Sequence, residues 1–144
     1  RAAAAASRLT PAGKSQLRQA FLERAAHYIG TPYSAKYHTP GDPDCMPGTP
    51  HEGAELFLDC CGLVRRCVAD LEEQFGFRLG RGNQAYQFDT LPLRRGSCGE
   101  LEPGDLVFYE ATFKEPEEGC SAPRAQRHNM VHVEVFTGEG PDGE

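Results

Sequence analysis

Two side chains in this sequence have the types and surroundings needed for nucleophilic chemistry. Cys60 stands at the start of an apolar helical pattern, and His132 lies inside a strand pattern much further along the chain. A thiol in the first turn of a helix sits beside unpaired backbone N–H groups and at the positive end of the helix dipole. Both favour thiolate over thiol, lowering the pKa and raising nucleophilicity at neutral pH. The same N–H groups can hold an oxyanion as an attacked carbonyl becomes tetrahedral. An imidazole that pairs with the thiolate and returns a proton to the leaving group completes the requirement, and His132 is the candidate base. A Cys–His pair of this kind is equipped for acyl transfer from an amide.

The elements that must position these groups are visible in the patterning. Asp59 has the residue type of a helix cap. Leu63, Cys67, Leu71 and Phe75 recur every fourth residue, with Val64 and Val68 widening the stripe, and Gly76 ends it. Cys67 falls on that stripe, where a buried free thiol is common. Upstream, Thr10-Pro11 signals a helix start; Leu17, Phe21, Ala25, Tyr28 and Ile29 mark one face, and Gly30 with Pro32 stops the helix. Downstream, Pro103-Gly104 is a turn leading into a short buried strand, Leu106-Val107-Phe108-Tyr109. Residues 130–136 form the clearest strand, with Val131, Val133 and Val135 on one face and Met130, His132, Glu134 and Phe136 on the other. Helices followed by strands predict an α+β fold, with N-terminal helices packed on an antiparallel sheet.

The chain has 144 residues, enough for one domain with a single core. Residues 1–9 form an Ala-rich, disordered lead and 10–144 the single domain. Residues 38–55, rich in proline and glycine, and the polar, acidic stretch 110–128 are expected as loops. A net charge of −6 with scattered basic residues argues against a nucleic-acid or anionic-membrane partner. No run approaches the roughly 18 apolar residues of a membrane span. Arg1 to Ala6 lacks the leucine-rich core of a secretory signal. The six cysteines include an adjacent pair, Cys60 and Cys61, a poor spacing for a disulfide scaffold and better suited to a reducing compartment. A start at Arg rather than Met, and the Gly- and acid-rich end from Gly138 to Glu144, are expected of a fragment cut short at its C-terminal end.

Four segments, in order, resemble the NlpC family of papain-like cysteine peptidases. Asp59-Cys60-Cys61-Gly62-Leu63-Val64 is similar to the family's Asp-Cys-Ser-Gly-Leu-Val motif. Leu101-Glu102-Pro103-Gly104-Asp105-Leu106-Val107-Phe108 is similar to its Leu-x-Pro-Gly-Asp-Leu-Val-Phe segment, and His132-Val133-Glu134-Val135-Phe136 with Gly138 to its His-Val-Gly-Ile-Tyr-x-Gly strand. Ile29-Gly30-Thr31-Pro32-Tyr33 resembles the Gly-x-Pro-Tyr stretch before the nucleophile. The resemblance implies a papain-like core, a thiol hydrolase (a peptidase or amidase), and a peptide or peptidoglycan-stem-like substrate. Carried over by position, Cys60 is the nucleophile and His132 the base. Tyr33 and Cys61 are the oxyanion or substrate residues beside the nucleophile, and Asp59 and Asp105 serve as cap and turn residues. No cofactor and no metal are implied.

The sequence departs from the family in several places. Cys61 replaces Ser after the nucleophile, Ser34-Ala35-Lys36 stands where Trp-Gly-Gly is common, and the loops after Tyr33 and Glu110 are long. A third catalytic residue is expected on a strand beyond Glu144. Glu134 shares a face with His132, but same-face neighbours on a strand are about 6.6 Å apart, a long reach for a direct hydrogen bond. His128 is a second candidate base. A zinc site built from Cys45, His51, Cys60 and Cys61 lacks the paired spacings such sites use. Arg65-Arg66 and Arg94-Arg95 have the composition of solvated faces, and Tyr86 and Gln87 are candidates for a cleft wall. The alternative to an enzyme is a catalytically silent domain of the same fold, a structural or binding module in a larger assembly.

Overall fold

The computed structural model describes residues 10–33, 56–111, 128 and 130–138. The Ala-rich lead, Cys45, His51, Cys120 and nearly all of the two expected loops lie outside them. Helix α1 (Pro11–His27) opens on Thr10, whose Oγ1 accepts the Gly13 N–H at 3.0 Å, with proline in the first position where no N–H is needed. Phe21 is its buried anchor. The helix ends at Tyr28, so Ile29 falls past the last turn and is 85% exposed rather than on the buried face.

Asp59 caps α2 (Cys60–Asp70), its carboxylate accepting the Gly62 N–H. The helical path breaks at Leu71 and resumes as the single turn α3 (Glu72–Phe75), closed by Gly76 at φ 78°, a left-handed cap that favours glycine. Phe21, Cys61, Val64, Cys67, Val68, Leu71 and Val133 form the core. The buried face of α2 is centred on Cys61, Val64 and Val68, so it is rotated from the expected Leu63 stripe. That rotation carries Arg65, four residues beyond Cys61, into the interior at 4% exposure, correcting the expected solvated face. Arg65 Nη1 donates to the Gly82 carbonyl, while Nε and Nη2 find no partner among the described residues. Arg66 is half-buried and ties the two helices together: its Nε donates to Tyr28 Oη at 2.9 Å and lies 3.1 Å from Asp70 Oδ1.

An element with no periodic signature follows, α4 (Gln84–Thr90), started by Asn83, whose Oδ1 accepts the Tyr86 N–H at 3.1 Å. Gln87 is buried, and its Nε2 donates to the Cys61 carbonyl at 3.0 Å. After a 3-10 turn (Cys98–Glu100) the chain reverses at Gly104, whose φ of 88° requires a residue without Cβ strain. The Gly104 N–H donates to the Phe136 carbonyl at 2.7 Å, fastening the turn to the far end of the last strand. Asp105 holds the turn closed. Its carboxylate accepts the Glu102 N–H at 2.9 Å and pairs with Arg18 at 2.7 Å and Arg95 at 3.1 Å. Desolvation alone would raise the Asp105 pKa; that N–H and the two guanidiniums outweigh it and hold the group below its ordinary value.

Strands β1 (Leu106–Glu110) and β2 (Met130–Val135) pair antiparallel as a two-stranded sheet, Leu106 opposite Val135 and Tyr109 opposite His132. The next pair is Glu110 with Met130, so Val131 has no partner and forms a bulge. The bulge reverses the alternation upstream of His132. Met130 turns inward and is buried, and Val131, expected on the core face, is 41% exposed. Only Val133 and Val135 of the three valines keep the expected face. The class is α+β, helices with a small antiparallel sheet. Among the described residues no helix is long and apolar enough to cross a membrane.

Candidate active site

Cys60 occupies the first position of α2, directly after the Asp59 cap. The Leu63 N–H already binds the Asp59 carbonyl at 2.9 Å and the Gly62 N–H binds the Asp59 carboxylate, so the helix makes no use of the Cys60 and Cys61 amides. Strand β2 brings a second set of groups against the same thiol. The Val133 backbone N–H and the His132 ring both hydrogen-bond Cys60. The buried Val133 side chain is locked into the core beneath α2, and this anchors the strand at the height of the helix start.

The Cys60 thiol is drawn down to about 5. A hydrogen bond from the Cys61 thiol contributes most. It works against the cost of desolvation, and the Val133 N–H and the His132 ring, by hydrogen bond and by charge, add to it. Cys61 moves the opposite way: giving its proton to the neighbouring sulfur and lying buried both push its own pKa up. Cys61 has one S–H proton and two anionic acceptors, since its Sγ is also 3.4 Å from Asp59 Oδ1. Donation to Cys60 steadies the thiolate; donation to Asp59 leaves Cys60 dependent on Val133 and His132.

Tyr33 is held beside Cys60 by an isolated parallel bridge to Leu58. Its hydroxyl donates to the Cys60 sulfur and accepts from the Cys60 N–H. Desolvation first, then the thiolate charge and that hydrogen bond, raise its pKa. These residues line one cavity of about 450 Å³, walled by Tyr28, Tyr33, Cys60, Leu63, His132 and Glu134 among others. The sequence-predicted Cys60, His132 and Tyr33 therefore converge, while Cys61, expected as an oxyanion or substrate residue, is buried behind them and does not line the cavity, its side chain turned into the core by the helical step from Cys60. His128 does not join the site. Its ring packs edge-on against Phe88 at 5.0 Å, with Nε2 4.0 Å from Asp89. Gln87 supports the first turn of α2 from behind, and neither it nor Tyr86 lines the cavity.

A larger groove, of about 1110 Å³, runs between α1, the 91–105 segment and β1. Of its charged lining residues, Arg18, Arg95, Glu102 and Asp105 are spent on one another, and no histidine accompanies its Cys98. The activated thiol lies in the smaller cavity. Among the described residues no group of three or more His, Cys, Asp or Glu side chains is arranged to hold a metal ion.

One contact at the site departs from the strand-spacing expectation. His132 Nε2 lies 3.4 Å from Glu134 Oε1, a reach that strand spacing alone made too long. Tyr109 Oη donates to Glu134 Oε2 at 2.7 Å. No protein-family model, curated protein or solved structure matches this chain.

Proposed function

We propose that the protein is a thiol hydrolase, a peptidase or amidase of the papain-like NlpC type, with Cys60 as nucleophile and His132 as base. One observation carries the reading: a cysteine at the first position of a helix meets an imidazole and a strand N–H together, and its thiol is drawn down to about 5. A structural thiol gains nothing from such an arrangement; Cys67 on the same helix is pushed up to about 12 by burial and by Asp70. In the reaction the Cys60 thiolate attacks the carbonyl carbon of an amide or peptide bond. The tetrahedral oxygen is received by the Cys60 N–H and the Tyr33 hydroxyl, which are hydrogen-bonded to each other at the cavity wall. His132 protonates the departing amine, and the acyl group passes to Cys60. Water, deprotonated by His132, then attacks the thioester and restores the thiolate.

The resemblance to the NlpC family supports the papain-like core and a peptide or peptidoglycan-stem-like substrate. The α+β arrangement, with the nucleophile helix laid on the histidine strand, is compatible with it. The test is site-resolved iodoacetamide labelling across pH, read by mass spectrometry, followed by a screen of peptide amides with Cys60→Ala as the control. Fast labelling of Cys60 with a midpoint near 5, and hydrolysis lost in the variant, support the assignment. A Cys60 that titrates at the ordinary value of about 8.5 overturns it and leaves the silent structural or binding module as the reading.

A further inference from the structure

Resting on that reading of the Cys60–His132 pair, we propose that Glu134 is its positioning residue, with Tyr109 as the clamp that holds Glu134 in place. A hydrolytic imidazole must present one ring nitrogen to the nucleophile and have the other held, or the ring turns and the wrong tautomer forms. The structure supplies the hold from the histidine's own strand. Glu134 Oε1 sits 3.4 Å from His132 Nε2, and Oε2 accepts the Tyr109 hydroxyl at 2.7 Å. Both carboxylate oxygens are thus engaged, by groups on two different strands.

The sheet explains why the reach succeeds. Tyr109 stands directly opposite His132, and Glu134 is the diagonal neighbour opposite Val107. The tyrosine ring lies 5.8 Å from the imidazole and its hydroxyl extends across to the carboxylate. Diagonal cross-strand partners are within range of aromatic and long side chains. The glutamate bends along its own strand and the tyrosine pins it there.

The same arrangement selects the nitrogen that serves Cys60. The sulfur is also met by the backbone N–H of Val133, the peptide next to His132, so it lies on the main-chain side of the ring. Nδ1 is the nitrogen on that side. Nε2 keeps its proton, donated to Glu134, and Nδ1 exchanges a proton with Cys60 and the leaving group. The charged groups facing the imidazole are Cys60 from α2, Glu134 beside it on β2, and Asp59 across the cavity; Tyr109 and Tyr33 face it as neutral phenols.

The experiment is an NMR measurement of the His132 ring nitrogen shifts, which report the tautomer, in the intact protein. It is paired with the pH profile of Cys60 alkylation, in wild type, Glu134→Ala, Glu134→Gln and Tyr109→Phe. Removing the carboxylate charge weakens the thiolate–imidazolium pair by the small amount expected of a half-exposed ion pair, and the Cys60 labelling midpoint rises by about half a unit. Alkylation of Cys60 at pH 4, below its midpoint near 5, falls about threefold with it. Glu134→Gln keeps an acceptor for Nε2–H and so retains the tautomer, read from the ring nitrogen shifts, while Glu134→Ala loses it. Tyr109→Phe moves both readouts the same way by less. Melting temperatures within about a degree of wild type separate these effects from a loss of fold. A His132 tautomer and a Cys60 alkylation profile unchanged in all three variants overturn the inference. The ring nitrogen shifts report on Glu134 whether or not Cys60 is reactive, so an ordinary thiol in the wild type counts against the nucleophile alone.

Discussion

Helix α2 carries the same side chain in two settings about two turns apart. Cys60 at its first position is drawn down to about 5, and Cys67 in its interior is pushed up to about 12. The residue type is identical, the backbone is continuous, and the dipole is shared. The difference lies in what surrounds each sulfur. Cys60 meets donors, namely a neighbouring thiol, a strand N–H and an imidazole, and stays half-open to a cavity. Cys67 is sealed among apolar side chains, with the Asp70 carboxylate as an unfavourable neighbour. Burial without donors makes a thiol inert, whereas partial burial with donors makes it a nucleophile.

The sharpest way to break this contrast is to remove the reactive member. Cys60→Ala is expected to lower hydrolysis by more than about a thousandfold with the fold intact, as checked by peptide-amide assay and circular dichroism. Hydrolysis that survives places the chemistry elsewhere. His132→Ala takes away the proton carrier, and a loss of about a hundredfold or more in turnover is expected, with the Cys60 labelling midpoint moving up from about 5.

Cys61→Ala addresses the shared proton. If Cys61 serves Cys60, the labelling midpoint rises by about one unit, a tenfold fall in labelling at low pH. Cys61→Ser, which keeps a donor, stays near wild type. An unmoved midpoint in Cys61→Ala assigns that proton to Asp59.

The smallest effects are in stability, and here the two thiols have opposite signs. Cys60 has a folded pKa below its ordinary value of about 8.5, so its thiolate favours the folded state. That contribution is complete above about pH 9 and is lost as pH falls to about 5, so the margin of wild type over Cys60→Ala shrinks along that interval. Cys67 has a raised folded pKa, so wild type loses stability as pH rises from 9 toward about 12, and Cys67→Ala does not. At pH 7 the Cys67→Ala change costs about 1 kcal/mol for the lost packing. Urea unfolding at several pH values measures all of these; parallel curves for the two variants would dissolve the contrast.

The sequence shows these two cysteines unevenly. The Asp59 cap, the Cys60 position and the burial of Cys67 all follow from local rules of helix starts and stripes, as do the Pro103-Gly104 turn and the His132 strand. What stayed hidden depends on backbone detail or on long side chains. Rotation of the α2 face by less than one residue decides whether Arg65 is inside, and apolar periodicity does not resolve that angle. A seven-residue helix such as α4 is too short for its pattern to stand out, so the Gln87 support behind Cys61 went unseen. Strand spacing alone sets Glu134 out of reach of His132, and the Tyr109 hydroxyl that binds its carboxylate sits on another strand, where same-strand spacing does not register it.

The bulge in β2 bears on which changes of chain length this site tolerates. Val131 is the residue without a partner, and its neighbours Met130 and His132 face opposite ways. Deleting Val131 therefore leaves a strand that alternates without interruption, with Met130 still inward and His132 still beside α2. Deletion one position later carries off the imidazole itself, and one position further removes the valine that seats the strand in the core. Val131 is thus a point where loss of a codon alters twist and leaves facing intact, in a strand where the two codons that follow have no such latitude.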